Sequence, residues 1–154
     1  MTQKLYIKPL EENNFPEIYN FMKQSNFPDV PDSYGQARPF FEETINFGAF
    51  IDGQLKTGFI FGDVTESSAF LDIVCDPAFK GKWATVSILQ EIYNIAFNHM
   101  QLKFIWVEAR NSKSLRAALQ AGFTFVTPLE NDTHVLVLTK NNLRKRFLKQ
   151  MENK

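Results

Sequence analysis

The sequence has little of what marks secreted, membrane-spanning or nucleic-acid-binding proteins. One cysteine, Cys75, leaves nothing for an internal disulfide framework or a multi-cysteine metal site. No apolar run approaches the roughly 20 residues that cross a bilayer, and the N-terminal stretch MTQKLYIKPL lacks the apolar core of a signal peptide. Basic and acidic residues balance at 17 each, so no net charge attracts nucleic acid or membranes. The 154 residues therefore predict one cytoplasmic domain.

Apolar periodicity in the first part of the chain predicts a strand, two helices and a hairpin. Residues 4–10 alternate like a strand. Residues 14–24 show helical spacing, with Asn14 as a candidate N-cap, and a second helix is expected over residues 37–47. The pair Asp52-Gly53 separates two apolar runs and favours a tight type I′ turn.

The later part of the chain alternates strands and helices. Strands are predicted over residues 68–75 and 102–109, with a long helix over residues 84–100 between them. Asn111 or Ser112 can cap a short helix that stops at Gly122, and two strands follow. The order β-α-α-β-β-β-α-β-α-β-β predicts a mixed α/β (α+β) domain with a mostly antiparallel sheet flanked by helices. The connection between strands four and five is one parallel crossover.

The domain is expected to span residues 1–140, followed by a basic C-terminal helix or tail over residues 141–154. The tail sequence LRKRFLKQM has the pattern of an amphipathic basic helix. Two interpretations of it stay open. It is either a docked terminal helix with a solvated face, or a contact surface for nucleic acid or another protein.

The stretch KGKWAT, residues 80–85, lies between the fourth strand and the long helix. Successive backbone amides before a helix N-terminus form a natural anion site, and Lys80 and Lys82 add positive charge. Gly81 is its only glycine, so neither the Walker pattern nor the dinucleotide-binding fingerprint matches. The turn either holds a pyrophosphate on main-chain amides without a metal or is an ordinary strand-to-helix turn.

Three stretches become informative through their order and spacing: GAFIDGQLKTGFIFGDV, LDIVCDPAFKGKWA and EARNSKSLRAALQAGFTFV. The middle stretch is similar to a motif that runs from a strand through V-x-P into an R/Q-x-x-G-x-G/A turn. The last stretch is similar to a motif in which a strand is followed by an Asn, a helix and a Gly-Phe ending. With these motifs the chain resembles the GNAT superfamily of acetyl-CoA-dependent N-acetyltransferases over roughly residues 5–139. The resemblance implies a V-shaped splay between strands four and five, with acetyl-CoA as acyl donor and no metal.

The resemblance also implies which residues would contact coenzyme A. The pantetheine arm would pair with the fourth strand as an added strand would, and the pyrophosphate would lie on the turn that follows. Residues at the start of the short helix after the fifth strand would contact the cofactor from the other side of the V. For the strand these residues are Ile73, Val74 and Cys75; for the turn they are Lys80, Gly81, Lys82, Trp83, Ala84 and Thr85; for the other side they are Asn111 and Ser114. Asn111 is expected to act as a helix cap as well.

The sequence departs from the family pattern at three positions. Trp83 and Thr85 stand where the motif has Gly and Gly/Ala, which puts the affinity for coenzyme A in doubt. Many members place a tyrosine seven residues after the asparagine, as general acid to the leaving thiolate. That position is Ala118 here. The protein either uses another donor or water, or does not catalyse.

Acetyl transfer by direct attack requires a neutral primary amine, so a base must remove a proton. Asp72 is the first candidate, since a partly buried carboxylate can have a raised pKa, although a solvent-facing aspartate is the alternative. Glu108 is the second candidate, and strand pleat decides which of them faces the cleft. Tyr34 is a candidate substitute acid. The oxyanion would be held by a strand-four amide, near Val74 or Cys75.

Three other side chains receive structural interpretations. Cys75 lacks a Cys-His-Asp pattern and is expected to be a small buried residue rather than a nucleophile. His134 is expected to be a hydrogen-bonded histidine of the last strand, and His99 to end a helix.

The sequence thus predicts an N-acetyltransferase acting on a primary amine of a small molecule or protein. The loop over residues 26–38 and the hairpin over residues 128–134 carry acidic residues that suit a cationic acceptor, or that are simply solvated. Two alternatives remain: a degenerate protein that binds coenzyme A or a partner without turnover, and an interaction module using the tail. A homodimer stays open, while membrane and nucleic-acid partners are disfavoured.

Overall fold

A computed structural model of the chain describes residues 4–143, which contain seven strands and four α-helices. The elements are β1 (Leu5–Pro9), α1 (Phe15–Gln24), α2 (Tyr34–Glu43), β2 (Ile45–Ile51), β3 (Gln54–Gly62), β4 (Ser68–Cys75), α3 (Val86–Asn94), β5 (Phe104–Ala109), α4 (Ser112–Gln120), β6 (Thr124–Pro128) and β7 (His134–Thr139). The predicted order of strands and helices is therefore confirmed. The tail from residue 144 onward, for which a basic helix is predicted, lies outside the described residues.

The strands form one sheet in the order β1-β2-β3-β4-β5-β7-β6. Antiparallel ladders join β1 to β2, β2 to β3, β5 to β7 and β6 to β7. A parallel ladder pairs Ser68–Phe70 of β4 with Phe104–Trp106 of β5. These pairings confirm the mixed, mostly antiparallel sheet with one parallel crossover. The V-shaped splay beyond the parallel pairs stays a prediction.

Contacts divide the chain into two compact units, and β4 runs from one into the other. The first unit comprises the residues up to Gly62 together with Asp72–Trp83, and the second comprises Asp63–Leu71 and the residues from Ala84 onward. Because β4 belongs to both, its two halves have different neighbours.

The first unit packs α1 and α2 on one face of its strands. Phe15 of α1 stacks on Phe41 of α2 with ring centroids 5.0 Å apart. Ile18, also from α1, is fully buried and shares this hydrophobic cluster with Ile60 of β3 and Val74 of β4. Burying such side chains contributes roughly 1.5–3 kcal/mol each, so this apolar stripe accounts for the position of α1 on the sheet.

Two details of these helices differ from the sequence prediction. Asn14 is the N-cap residue of α1, as predicted, but its side chain does not cap this helix, because its Oδ1 accepts a hydrogen bond from the Glu11 amide at 2.9 Å within a preceding 3-10 turn. The predicted bounds of α2, residues 37–47, were wrong. Ser33 Oγ accepts from the Gln36 amide at 3.3 Å and starts the helix at Tyr34. The helix ends early because Ile45 begins β2, where it pairs with Phe61.

The second unit contains the long helix and the short one. Thr85 Oγ1 accepts from the Ile88 amide at 3.2 Å and caps α3, so the helix begins two residues later than predicted. Beyond Asn94 it continues as a π-helix to His99. The Gly122 stop of α4 is confirmed: its φ is +102°, and the Phe123 amide closes the turn on the Ala118 carbonyl at 3.0 Å.

The hairpin between β2 and β3 has the predicted two-residue turn. Asp52 and Gly53 both have positive φ angles, +52° and +82°, as a type I′ turn requires. None of the helices in residues 4–143 is long and apolar enough to cross a membrane.

Gly48 in β2 provides a test of this packing. A Cβ at Gly48 would lie 2.5 Å from Leu10 Cδ2 and 2.8 Å from Leu55 Cδ1, whereas one at Gly62 would meet only Thr44 Cγ2, at 3.7 Å. We therefore expect Gly48→Ala to lower the free energy of unfolding by about 1–3 kcal/mol. Gly62→Ala, the matched control, should stay within about 0.5 kcal/mol of wild type in urea titrations followed by circular dichroism. Equal effects of the two substitutions would contradict the packing described.

Candidate functional site

The turn after β4 is organised by its own hydrogen bonds. Asp76 Oδ1 accepts from the Ala78 amide at 3.0 Å and begins a 3-10 turn over Pro77–Phe79. The amides of Lys80 and Lys82 then donate to the carbonyls of Pro77 and Phe79, at 3.3 and 2.9 Å. In this turn the two lysines can therefore offer an anion their exposed ammonium groups, while their amides are occupied.

Gly81 is the one position of the turn with a left-handed backbone. Its φ is +82°, and no heavy atom lies within 4 Å of the position that a Cβ would take. Glycine is thus selected by conformation, and the backbone at this point is open to solvent.

Trp83, which replaces a motif glycine, packs within the first unit. Its ring lies 6.1 Å from the ring of Phe59, at an interplanar angle of 70°. Phe59 is fully buried in β3, and Trp83 itself is half-buried. The Trp83 side chain therefore packs toward the core of the first unit.

The N-terminus of α3 presents donors to solvent. Thr85 uses its hydroxyl for the Ile88 amide and its carbonyl for the Leu89 amide. An α-helix leaves its first amides without an intrahelical acceptor, and here these belong to Val86 and Ser87, both exposed. Together with the helix dipole, such amides attract an anion.

The edge of β4 that faces away from β3 carries the backbone N–H and C=O groups of every second residue. The Asp76 amide donates to the Lys56 carbonyl of β3 at 2.8 Å. Because backbone groups alternate along a strand, those of Cys75 and Ile73 point to the opposite edge, and those of Val74 point toward β3. Of the three predicted pantetheine contacts, Ile73 and Cys75 are therefore suited to main-chain hydrogen bonds with an added strand.

Ser25, the C-cap residue of α1, contacts a predicted site residue, and sequence reasoning missed this contact. Its Oγ donates to the Cys75 carbonyl at 3.4 Å. Nothing in the local sequence marks Ser25, because the contact joins positions 50 residues apart in the chain.

Cys75 itself is buried, and its Sγ lies 3.7 Å from Thr57 Oγ1. Burial raises the pKa of the thiol to about 11, against the weaker opposing effects of the Thr57 hydrogen bond and the Lys80 charge. A thiol with this pKa is protonated at neutral pH and is a poor nucleophile. These features agree with a structural role for the side chain.

The two candidate bases occupy half-buried positions on their strands. Asp72 leaves β4 on the same face as Val74, which packs against α1 and α2. Glu108 leaves β5 on the face of Trp106, and its Oε2 lies 3.7 Å from Arg110 Nη2. Strand pleat thus assigns each carboxylate a face, which sequence alone could not do.

Tyr34 was predicted to lie in a loop over residues 26–38, and this placement was wrong. It is the first residue of α2, and its ring packs against Tyr19 at 6.0 Å and Phe41 at 6.4 Å. The true loop before it is held to α1, because Tyr19 Oη donates to the Pro31 carbonyl at 2.6 Å. Tyr34 is therefore part of an aromatic cluster rather than a side chain on a free loop.

Asn111 caps α4, as predicted. Its Oδ1 accepts from the Ser114 amide at 2.8 Å, and both residues are exposed. The cap uses only the oxygen, which leaves the Nδ2 group as a donor for a ligand. Seven residues later, Ala118 offers no side-chain donor.

His134 differs from the hydrogen-bonded histidine that was expected. Its Nδ1 is buried and has no hydrogen-bond partner among the residues that the structure describes, so that expectation was wrong. Its ring packs 5.6 Å from Phe125. Within residues 4–143, no group of three or more potential metal-binding side chains comes together.

Comparison with known proteins supports the same architecture. No protein-family model matches the chain, and no curated protein matches it significantly. Among solved structures, a mutant form of spermidine N-acetyltransferase SpeG from Vibrio cholerae is similar with a TM-score of 0.78 at 15% identity, covering 95% of this chain and 97% of that one. The same enzyme in complex with CoA and spermine also gives a TM-score of 0.78 at 15% identity, covering 94% and 98%.

A dodecameric form of that enzyme, described as an intermediate state, gives a TM-score of 0.75 at 14% identity and covers 89% of this chain and 94% of its own. At this level of identity the likeness concerns the fold. The likeness extends over nearly the whole length of both chains. The chain therefore has the fold of the spermidine N-acetyltransferases, which are members of the GNAT superfamily.

Proposed function

We propose that the protein is an N-acetyltransferase that moves an acetyl group from acetyl-CoA to a primary amine by direct attack. The observation that carries the proposal is the full-length likeness to an N-acetyltransferase fold, including a structure solved with CoA and spermine. The free buried thiol of Cys75 suits a reducing compartment, and we propose the cytoplasm as the place of action.

Acetyl-CoA would use the donors described above. Backbone groups of Ile73 and Cys75 on the outer edge of β4 would pair with the pantetheine arm, beside the side chain of Val74. The pyrophosphate would lie on the remaining amides of the turn, with the ammonium groups of Lys80 and Lys82 supplying charge. The proposed donors of the turn are the amides of Gly81, Trp83, Ala84 and Thr85, and those of the second unit are Asn111 Nδ2 and Ser114.

The chemistry would proceed through a tetrahedral intermediate. The amine nitrogen bonds to the thioester carbon, the carbonyl oxygen becomes an oxyanion, and collapse breaks the C–S bond to release the CoA thiolate. Asp72 is the proposed base for the amine proton, with Glu108 as second candidate and Tyr34 as candidate acid. The Cys75 amide is the proposed oxyanion donor. Because Ala118 carries no acid, the proton for the thiolate would come from Tyr34 or from water.

A second candidate function is binding of coenzyme A or a partner without turnover. Ala118, Trp83 and Thr85 favour this alternative, since each departs from the pattern of active family members. The packing of Trp83 on Phe59 shows how a tryptophan is accommodated at a motif glycine position. Binding and turnover must therefore be measured separately.

The anion-binding role of the turn predicts a change in acetyl-CoA affinity. We expect micromolar binding by calorimetry, weakened roughly tenfold when Lys80 and Lys82 are both changed to Gln, because two ammonium groups near a pyrophosphate are lost. Lys103→Gln, a change of one exposed lysine just before β5, should leave the dissociation constant unchanged. Equal affinities of all three proteins for acetyl-CoA would show that Lys80 and Lys82 do not take part in binding.

The role of Asp72 predicts a selective loss of turnover. General base catalysis contributes about 10²–10⁴-fold, so Asp72→Asn should lower kcat by at least about a hundredfold. The calorimetric affinity for acetyl-CoA should not change, because the carboxylate is not proposed to contact the cofactor. Asp63→Asn, at an exposed position after β3, is the control. Activity of Asp72→Asn near that of wild type would exclude Asp72 as the base.

A further inference from the structure

The two faces of the sheet in the second unit are buried to different extents. On one face of β5 and β7, Ile105, Ala109, Leu136 and Leu138 are at most 3% exposed. The opposite face carries a half-buried apolar row. In register, Trp106 pairs with Val137 and Glu108 with Val135. We call this opposite face the acceptor face; its residues are Phe70, Trp106, Glu108, Val135 and Val137.

Two stacked rings dominate the acceptor face. Phe70 of β4 pairs with Trp106 of β5 in the parallel ladder, and their ring centroids lie 4.4 Å apart with planes 32° from parallel. Both side chains are half-buried. The two rings lie against each other, and the apolar area that they still expose would be stabilised by a ligand that covers it.

On β5 a carboxylate lies beside these rings. Glu108 is two residues beyond Trp106 on the same face of β5, roughly 6–7 Å along the strand. Its side chain is 29% exposed, and the Arg110 guanidinium lies 3.7 Å away, beyond ordinary hydrogen-bond distance. A carboxylate has about four acceptor positions. Glu108 can therefore still receive the N–H groups of a ligand.

We propose that the acceptor face binds the amine substrate and that this substrate is an arylalkylamine: a primary ammonium joined by a short arm to an aromatic ring. The inference rests on the proposed acetyl transfer. The substrate ring would pack against the exposed parts of Phe70 and Trp106, and its ammonium would reach Glu108, a span that fits a ring with a two-carbon arm.

A second copy of the chain is a less suitable occupant. Stable protein interfaces bury about 800 Å² on each partner. A whole aromatic side chain buries only about 150–250 Å², and the two rings here are already half-covered. The acceptor face therefore offers less apolar area than a stable dimer needs, but enough to cover one small ligand.

The test compares kcat/KM for 2-phenylethylamine, n-butylamine and spermidine. Wild type should have a kcat/KM about tenfold higher for 2-phenylethylamine than for n-butylamine, because one or two contacts between aromatic rings stabilise a complex by about this factor. Trp106→Leu should remove this preference by raising KM for 2-phenylethylamine about tenfold, with n-butylamine changed less than about threefold. Phe125→Leu removes an aromatic ring that is 46% exposed on β6 and should change neither substrate.

Several outcomes would overturn the inference: equal use of the two monoamines, a preference for spermidine, or equal effects of Trp106→Leu on both monoamines. Dissociation of a wild-type dimer by Trp106→Leu in sedimentation would identify the face as an interface between copies and would also overturn it. If Trp106→Leu fails to fold by circular dichroism, Phe70→Leu replaces it with the same expected result.

Binding measurements separate failure of this inference from failure of the proposed function. If wild type acetylates no amine, the acetyl-transfer proposal fails. Calorimetric titration with 2-phenylethylamine then tests by itself whether the acceptor face binds an arylalkylamine. Binding that is lost in Trp106→Leu and retained in Phe125→Leu would support the acceptor face. No binding by wild type would overturn it. Turnover without any dependence on Trp106 would overturn the inference and leave acetyl transfer standing.

Discussion

The backbone of β4 is the constraint on which the rest of the molecule depends. Buried backbone groups need hydrogen-bond partners, and a strand has two edges to satisfy. The early part of β4 pairs with β5 from Ser68 to Phe70. At the other end, Asp76 is bonded to Lys56 of β3, and Ser25 donates to the Cys75 carbonyl. A ligand that adds like a strand would extend this pattern of partners, as proposed for a pantetheine arm.

The departures from the family pattern acquire physical meaning in this setting. Trp83 is anchored on Phe59, so the side chain that replaces glycine contributes to packing in the first unit. Thr85 supplies the N-cap of α3, a task that glycine or alanine cannot perform with a side chain. Ala118 has no comparable compensation. The proposed binding of an anion at the turn is therefore better supported than a proposed side chain that would protonate the leaving group.

The sequence predicted the elements whose signals are local. The hairpin at Asp52-Gly53, the bounds of β4 and the Asn111 cap all follow from short-range geometry, and the structure confirms each. The end of α2 was missed because pairing of Ile45 with Phe61 overrides its helical pattern. The π-helix after α3 has no signal that periodicity detects.

The candidate site depends more strongly on contacts between distant positions, and less of it could be predicted. Ser25 meets Cys75, and Tyr34 is drawn into a ring cluster with Tyr19, through packing that no motif encodes. The lack of a partner for His134 Nδ1 within residues 4–143 likewise follows only from the folded chain. Side chains alternate between the two faces of a strand, so the strand bounds determine the face on which Asp72 and Glu108 each lie. The family pattern predicts which residues could form the site, but the surroundings of their side chains follow only from the folded chain.

Acetyl transfer is the central claim, and its most direct test is a product measurement. Purified protein would be incubated with acetyl-CoA and a panel of primary amines that includes monoamines, polyamines and peptides with lysine. Release of free CoA thiol and the mass of the acetylated amine would be followed together. The account predicts equal amounts of thiol and N-acetylated product, absent without enzyme. Binding of acetyl-CoA with no product from any amine would contradict it and favour a protein that binds the cofactor without turnover.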